Sequence, residues 1–168
     1  MESTTGNAGT PETEFIEASR TFLREDYLPK LLQCVSLMSD EDLWWRPNEV
    51  SNSVGNLVLH LCGNLRQWIV ASLGGVEFKR DRDAEFAARG PVAKAELLDN
   101  LKLAVNEVDD VLATFDTAKL LNRVNVQKYD VSALQAIYHV VEHFGYHLGQ
   151  ILYIYKLRTG TDPQFYKF

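Results

Sequence analysis

Cysteine is scarce in this chain: Cys34 and Cys62 are the only two in 168 residues. They form no CxxC pair, and each sits in an apolar run, LLQCVSL and LHLCGNL. Both read as reduced core thiols, which sets aside a disulfide framework and a thiolate ligand. Clusters of Lys and Arg are also missing, and the net charge is −6. That excludes a nucleic-acid binder, because neutralising phosphates needs a basic face. No apolar run approaches the ~20 residues needed to span a bilayer. The first residues, MESTTGNAGTPETE, lack the charged and apolar regions of a signal peptide. A cytoplasmic protein with no membrane partner is therefore expected. Three enzyme signatures are absent as well: the G-x-S-x-G elbow, HExxH, and the repeated Glu-x-x-His of di-iron bundles.

Hydrophobic residues make up 46% of the chain, enough for a core, and the length suits one domain. Residues 1–11 are small and polar and read as a disordered tail, leaving 12–168 as the domain. From Glu12, apolar residues such as Phe15, Phe22, Leu23, Tyr27 and Leu31 recur at helical steps to about Ser39, with a kink or break expected at Pro29. DEDLWWRPNEVSNS is a loop, and Trp44 and Trp45 should fold it back onto the body. A second helix runs from an N-cap at Ser53 to Leu73, before Gly74-Gly75. VEFKRDRDAEFAARGP is charged and irregular, anchored by Phe78 and Phe86. Gly90-Pro91 opens a third helix over about 92–115. DTAKLLNRVNVQKYDV carries a short helical turn and an extended piece. Ser132 and Gln135 form the capping box of a fourth helix, which runs to about Arg158 and stops at Gly160. Four long helices without a convincing sheet make an all-α four-helix bundle, with room for a pocket at one end.

The chain has four histidines, and three of them share one spacing: His139, His143 and His147 in HVVEHFGYHLGQ. At about 100° per residue they fall within a single quadrant of the fourth helix, together with Gln150. His60 lies in the second helix, in SVGNLVLHLCGNLRQW, on a stripe shared with Asn56, Asn64 and Gln67. Cys62, two positions on, faces elsewhere. If the two stripes meet, an HxxxH pair and one distant His make a three-His site with an open face. We take His60, His143 and His147 as the ligands. Spacing alone leaves His139 open, as a replacement for His143 or as a neighbour that supports the ligands.

Other polar residues carry two readings each. Asn64 and Gln150 share the histidine faces and are candidates for polar contacts at the site. Glu142 reads as a surface or ion-pairing residue rather than a general base. Asp81, Asp83 and Glu85 form either a solvated charged loop or a lid over the metal, with Arg80, Arg82 or Arg89 gripping an anionic substrate. Arg46 has the same two readings. Tyr146 reads as a packing residue that also lies along the histidine stripe.

The motif HVVEHFGYHLGQ, with His60 in an earlier amphipathic helix, resembles the DinB-like superfamily. That superfamily includes the YfiT-like proteins, classed as metal-dependent hydrolases, and thiol-dependent transferases. SVGNLVLHLCGNLRQW and RDRDAEF resemble a DinB-related family of unassigned function. The resemblance spans nearly the whole chain after the tail. It implies an antiparallel four-helix bundle with a long crossover, and a metal triad that carries over to His60, His143 and His147, with His139 beside it. It also implies a divalent metal, nickel or zinc, and often a homodimer. The expected activity is that of a metal-dependent enzyme acting on a small-molecule substrate, with a low-molecular-weight thiol or water as nucleophile. A thiol transferase is favoured over a hydrolase, and the alternative is a non-catalytic metal-binding or stress-related interaction protein.

Overall fold

The computed structural model describes residues 9–90 and 92–165. The first eight residues of the expected tail, and Pro91 of the expected Gly90-Pro91 helix start, lie outside the described residues.

The first long helix, α1, opens at Thr10, whose side chain accepts from the Thr13 N–H, with Pro11 in the first turn. It runs through three consecutive stretches: Pro11–Thr21, a π-helical Phe22–Tyr27, and Leu28–Leu37. Pro29 therefore does not break the helix. The missing donor is absorbed next to a widened turn, in which the Leu28 N–H reaches the Leu23 carbonyl five residues back. A five-residue helix, α2 (Asp40–Trp44), starts at the Ser39 cap. Trp44 and Trp45 are half-buried, as expected for a loop folded onto the body. A Cβ at Gly55 would meet the Trp44 ring at 2.8 Å, so only glycine lets the indole lie on the next long helix.

That helix, α3, comprises Val54–Leu65 and a π-helical Arg66–Ala71. Ser53 and Asn56 cap it reciprocally, and every residue of Val54–Leu65 except Leu59 is buried. It is the central rod of the molecule. The segment read as irregular contains a short helix, α4 (Arg82–Ala87), capped by Asp81. The third long helix, α5 (Lys94–Ala113), packs Leu97, Leu101, Ala104, Val105, Val108 and Leu112 inward. The fourth, α6 (Ala133–Thr159), starts with the Ser132/Gln135 box and ends at Gly160 in the left-handed conformation. Leu31, Cys34, Val35, Val58, Ile69, Leu101, Phe144 and Ile151, drawn from all four long helices, are fully buried in one core. Among the described residues no helix is long and apolar enough to cross a membrane.

Besides the short helices α2 and α4 in segments read as loop and irregular chain, the structure adds a small sheet where the sequence reading has a short helical turn and an extended piece. The piece before α6 is a two-stranded antiparallel hairpin, β1 (Arg123–Val126) and β2 (Tyr129–Ser132), preceded by a 3₁₀ turn at Thr117–Lys119. Its two-residue turn, Gln127-Lys128, holds Gln127 at φ 56° where Gly, Asn or Asp is the usual signal. Val126 and Leu120 are buried beneath it. The Ala133 and Leu134 N–H groups at the start of α6 donate to the Asn122 and Leu120 carbonyls at 3.0 and 2.8 Å, so the hairpin base supplies acceptors that the helix end lacks.

The left-handed Gln127 gives a first prediction. Gln127→Gly removes the Cβ conflict and should stabilise the protein by up to about 1 kcal/mol. The check is the urea midpoint at unchanged m-value.

Candidate metal centre

Two helices bring the site together. α3 supplies His60, which is 5% exposed, and α6 supplies His143 and His147 from consecutive turns. One ring nitrogen from each lies within 4.8 Å of the others, and the His60 and His143 Nε2 atoms are 2.9 Å apart. His139 stands apart from this group. Its Nε2 faces the Asn64 amide nitrogen at 3.3 Å, and its ring lies on Trp68 with centroids 4.1 Å apart. Of the two HxxxH pairs in the sequence, the second is the one that the fold groups with His60.

The opposite ring nitrogens fix which atoms point inward. His147 Nδ1 lies 2.7 Å from Gln150 Oε1, which only accepts, so Nδ1 carries the proton and Nε2 is left with its lone pair. His60 Nδ1 lies 3.0 Å from Glu85 Oε2 and 2.9 Å from Arg80 Nη2. Arg80 Nη2 is already engaged by Glu85 Oε2 at 2.7 Å, so the carboxylate is the partner that matters and His60 donates from Nδ1. Its Nε2 is then free to act as a donor atom toward the site. A carboxylate behind a ligating imidazole raises its basicity and locks its orientation.

Glu85 is held from several sides. Arg80 grips it with two parallel bonds of 2.7 Å, and the two side chains are 4% and 11% exposed. Arg80 also donates to Gln67 Oε1 at 3.0 Å and to the His60 carbonyl at 3.2 Å. Gly63 makes room for the pair: a Cβ there would collide with Glu85 Oε1 and lie 2.7 Å from Arg80 Nε. Asn56, fully buried, donates to the Glu85 and Ala88 carbonyls at 2.9 Å each and so pins α4 against α3. The sequence reading offered Glu85 as part of a solvated loop or a lid, and Arg80 as a substrate grip. The structure gives Glu85 a supporting role behind His60 and commits Arg80 to it. Glycine inside the buried helix segment HLCGNL was the available signal for such a close approach.

The remaining candidates fall into place around this core. Asn64 and Gln150 each touch a histidine, as their positions on the helices suggested. Arg89 binds the Phe86, Ala87 and Ala88 carbonyls, and Arg46 reaches the Phe86 carbonyl at 3.4 Å, so both fasten the end of α4. Asp81 caps α4, and Asp83 is exposed. Glu142 is exposed on α6. Tyr146 is 60% exposed with its ring 5.2 Å from that of His147. Phe86 covers His60 with centroids 4.7 Å apart. Cys62 is buried away from the ligand group, with its thiol pushed up to about 12 by burial.

A cleft of about 520 Å³ reaches the group from the side of His60 and His143 and is lined also by His139, Trp68, Arg80 and the hairpin turn; His147 lies outside its lining. A larger cavity of about 800 Å³ lies beyond Gln150 and Tyr146, walled by Trp45, Tyr153 and Leu157. It contains none of the histidines. The cleft is the smaller of the two but the one that reaches the chemistry.

Electrostatics favour neutral imidazoles. Burial first, then repulsion from His147, His60, His139 and Arg80, pushes His143 down to about 3. Burial also lowers His147 and His139. For Glu85, burial opposes ionisation, but the hydrogen bonds from Arg80 and His60 outweigh it and the carboxyl is held below its ordinary range. Three imidazoles at one point, backed by a carboxylate and an amide oxygen, are a donor set suited to a borderline divalent cation.

The family described as Protein of unknown function (DUF1572) matches residues 12–165. The chain belongs to this family. No curated protein matches it. Among solved structures, this DUF1572 protein is similar to a DinB-like protein from Bacillus cereus ATCC 10987, at 13% identity and a TM-score of 0.66 over 86% of this chain and 91% of that one. It is also similar to a conserved protein from Enterococcus faecalis, at 16% identity and a TM-score of 0.62 over 89% and 96%. At these identities the likeness establishes the fold, and the DinB-like helical bundle expected from HVVEHFGYHLGQ is the one this DUF1572 member has.

Two outcomes follow from the geometry. Gly63→Ala should displace the Arg80–Glu85 pair and cost about 1–3 kcal/mol, partly offset by the better helix propensity of alanine; chemical denaturation measures it. The second concerns acid. Histidines with lowered folded pKa values leave the unfolded chain binding more protons, so their contribution is complete above the unfolded value near pH 6.5 and is lost on acidification. The metal-free protein should therefore melt at lower temperature at pH 5 than at pH 7, with a shallower dependence in His143→Gln. Equal slopes in the two proteins would contradict the assignment.

Proposed function

We propose that the protein is a metal-dependent enzyme whose His60, His143 and His147 hold a divalent nickel or zinc ion and activate a thiol or water nucleophile against a small-molecule substrate. The observation that carries this reading is three convergent imidazole nitrogens, joined by no fourth His, Cys, Asp or Glu among the described residues, with an open cleft that reaches two of them, His60 and His143. Structural zinc is usually enclosed by four protein ligands, whereas a catalytic ion keeps a position free.

When bound, such an ion supplies Lewis acidity, lowering the pKa of a thiol or water at the open position. The chain does the rest. Glu85 and Gln150 hold the imidazoles of His60 and His147 in the tautomer that presents Nε2. Arg80 neutralises Glu85, so the carboxylate adds no free negative charge to the site. Phe86 and Trp68 wall the histidines with apolar surface and limit water around them. The family resemblance favours thiol transfer over hydrolysis, with a low-molecular-weight thiol as co-substrate. A cytoplasmic setting suits two buried free thiols. A homodimer belongs to the same proposal, supported by Tyr138, Tyr146, Tyr153 and Leu157 exposed along α6.

Elemental analysis of purified protein tests the site. Wild type should carry about one ion per chain, and His60→Ala and His147→Ala should each lose most of it, since removing one of three ligands leaves a weak pair. Unchanged metal content in both variants would sink the proposal. With metal present, turnover of electrophilic substrates in the presence and absence of added thiol separates transferase from hydrolase.

A further inference from the structure

The cleft over the histidines carries an unusual balance of charge for this chain. The sequence has 23 Asp and Glu against 17 Lys and Arg, yet the cleft is lined by Arg80, Arg82 and Lys128 and by no acidic residue. Arg80 is matched by Glu85 beneath it. Arg82 and Lys128 are different. Among the described residues, neither has a carboxylate within ion-pair distance, although Asp81 and Asp83 flank Arg82 in sequence. Asp81 is turned to the Ala84 N–H, and neither aspartate lines the cleft.

Both cations sit at the outer ends of runs of touching, mostly tilted rings that lead inward to the ligand group. On one side the Arg82 guanidinium lies 4.8 Å from the centre of the Phe86 ring, which lies 4.7 Å from the ring of His60. On the other, the Lys128 ammonium lies 5.5 Å from the Tyr129 ring centre; Tyr129 meets Trp68 at 5.8 Å, Trp68 meets His139 at 4.1 Å, and His139 meets His143 at 5.0 Å. The ring faces hold each cation at the rim without neutralising it. Lys128 is further fixed by its place in the two-residue turn next to the left-handed Gln127.

The geometry points to an organic anion as the ligand of this cleft: a small molecule whose oxyanionic group is gripped by Arg82 on α4 and Lys128 on the hairpin, while its reactive end meets the ligand group where His60 and His143 line the cleft. Trp68 and Tyr129 offer the rest of the molecule a flat apolar wall. This deepens the proposed metal site and rests on it. Charge-assisted hydrogen bonds are the stronger kind but water weakens them at exposed positions, so two exposed cations should discriminate an anion from its neutral isostere by about tenfold.

The test uses nickel-loaded protein and two rigid thiols, para-mercaptobenzoate and its neutral amide, para-mercaptobenzamide. In both, the thiol reports the metal through a thiolate-to-metal absorption band, and the para group is too distant to chelate the same ion. Calorimetric titration should give a Kd about tenfold lower for the benzoate. Arg82→Gln and Lys128→Gln should each reduce that preference several-fold, and the double variant should abolish it while leaving the absorption band and the melting temperature in place. Equal affinity for the two thiols in wild type, or a preference that survives the double variant, overturns the anion reading while the band upholds the metal site. Absence of the band with either thiol counts against the metal reading itself, and this inference falls with it.

Discussion

A bidentate ion pair buried in the notch of a glycine sets the site. Arg80 and Glu85 are both largely hidden from water, and a buried pair of this kind gains little net stability because desolvation offsets most of the attraction. Its value is positional. The carboxylate can aim at His60 only because the guanidinium fixes both of its oxygens, and both groups can approach α3 only because Gly63 has no side chain. Removing either partner strands a charge in a low-dielectric region, which typically costs about 3–5 kcal/mol. A stranded guanidinium beside the histidines would also repel any cation placed there.

The helix that carries Glu85 is too short to be stable by itself. It exists because its four C-terminal carbonyls have external donors: Asn56 on those of Glu85 and Ala88, Arg46 on that of Phe86, and Arg89 on those of Phe86, Ala87 and Ala88. Positive side chains at a helix C-terminus also complement its dipole. Arginines that the sequence offers as substrate ligands are thereby used up in building the wall of the cleft. This leaves Arg82 and Lys128 as the cations that face outward, and it gives the cleft an electrostatic character opposite to that of the chain.

The parts of this structure that were legible in the sequence are those governed by period and by local chemistry. Apolar spacing located the four long helices. Ser53 and the Ser132/Gln135 box marked two helix starts because capping needs only residues three apart. The i, i+4 spacing of His143 and His147 placed two imidazoles on one face, and His60 on a polar stripe of α3 supplied the third. The features that were missed depend on contacts between distant segments. The extended piece before α6 was legible, but its pairing was not: the hairpin has four-residue strands and a Gln-Lys turn without the usual glycine. The π-helical turns at Phe22–Tyr27 and Arg66–Ala71 leave no mark in the apolar spacing, although the first of them lies just before Pro29. The pairing of Arg80 with Glu85 looked like a solvated charge run, because the notch at Gly63 becomes visible only when α4 lies against α3.

Ser132 is both the last residue of β2 and the cap of α6. No linker separates the hairpin from the helix that carries three of the four histidines. The turn at Lys128 is thus joined to the first turn of the ligand helix by β2 alone, and the Ala133 and Leu134 N–H groups tie that first turn back to the Asn122 and Leu120 carbonyls. One continuous stretch of chain supplies a rim cation and the imidazoles of α6.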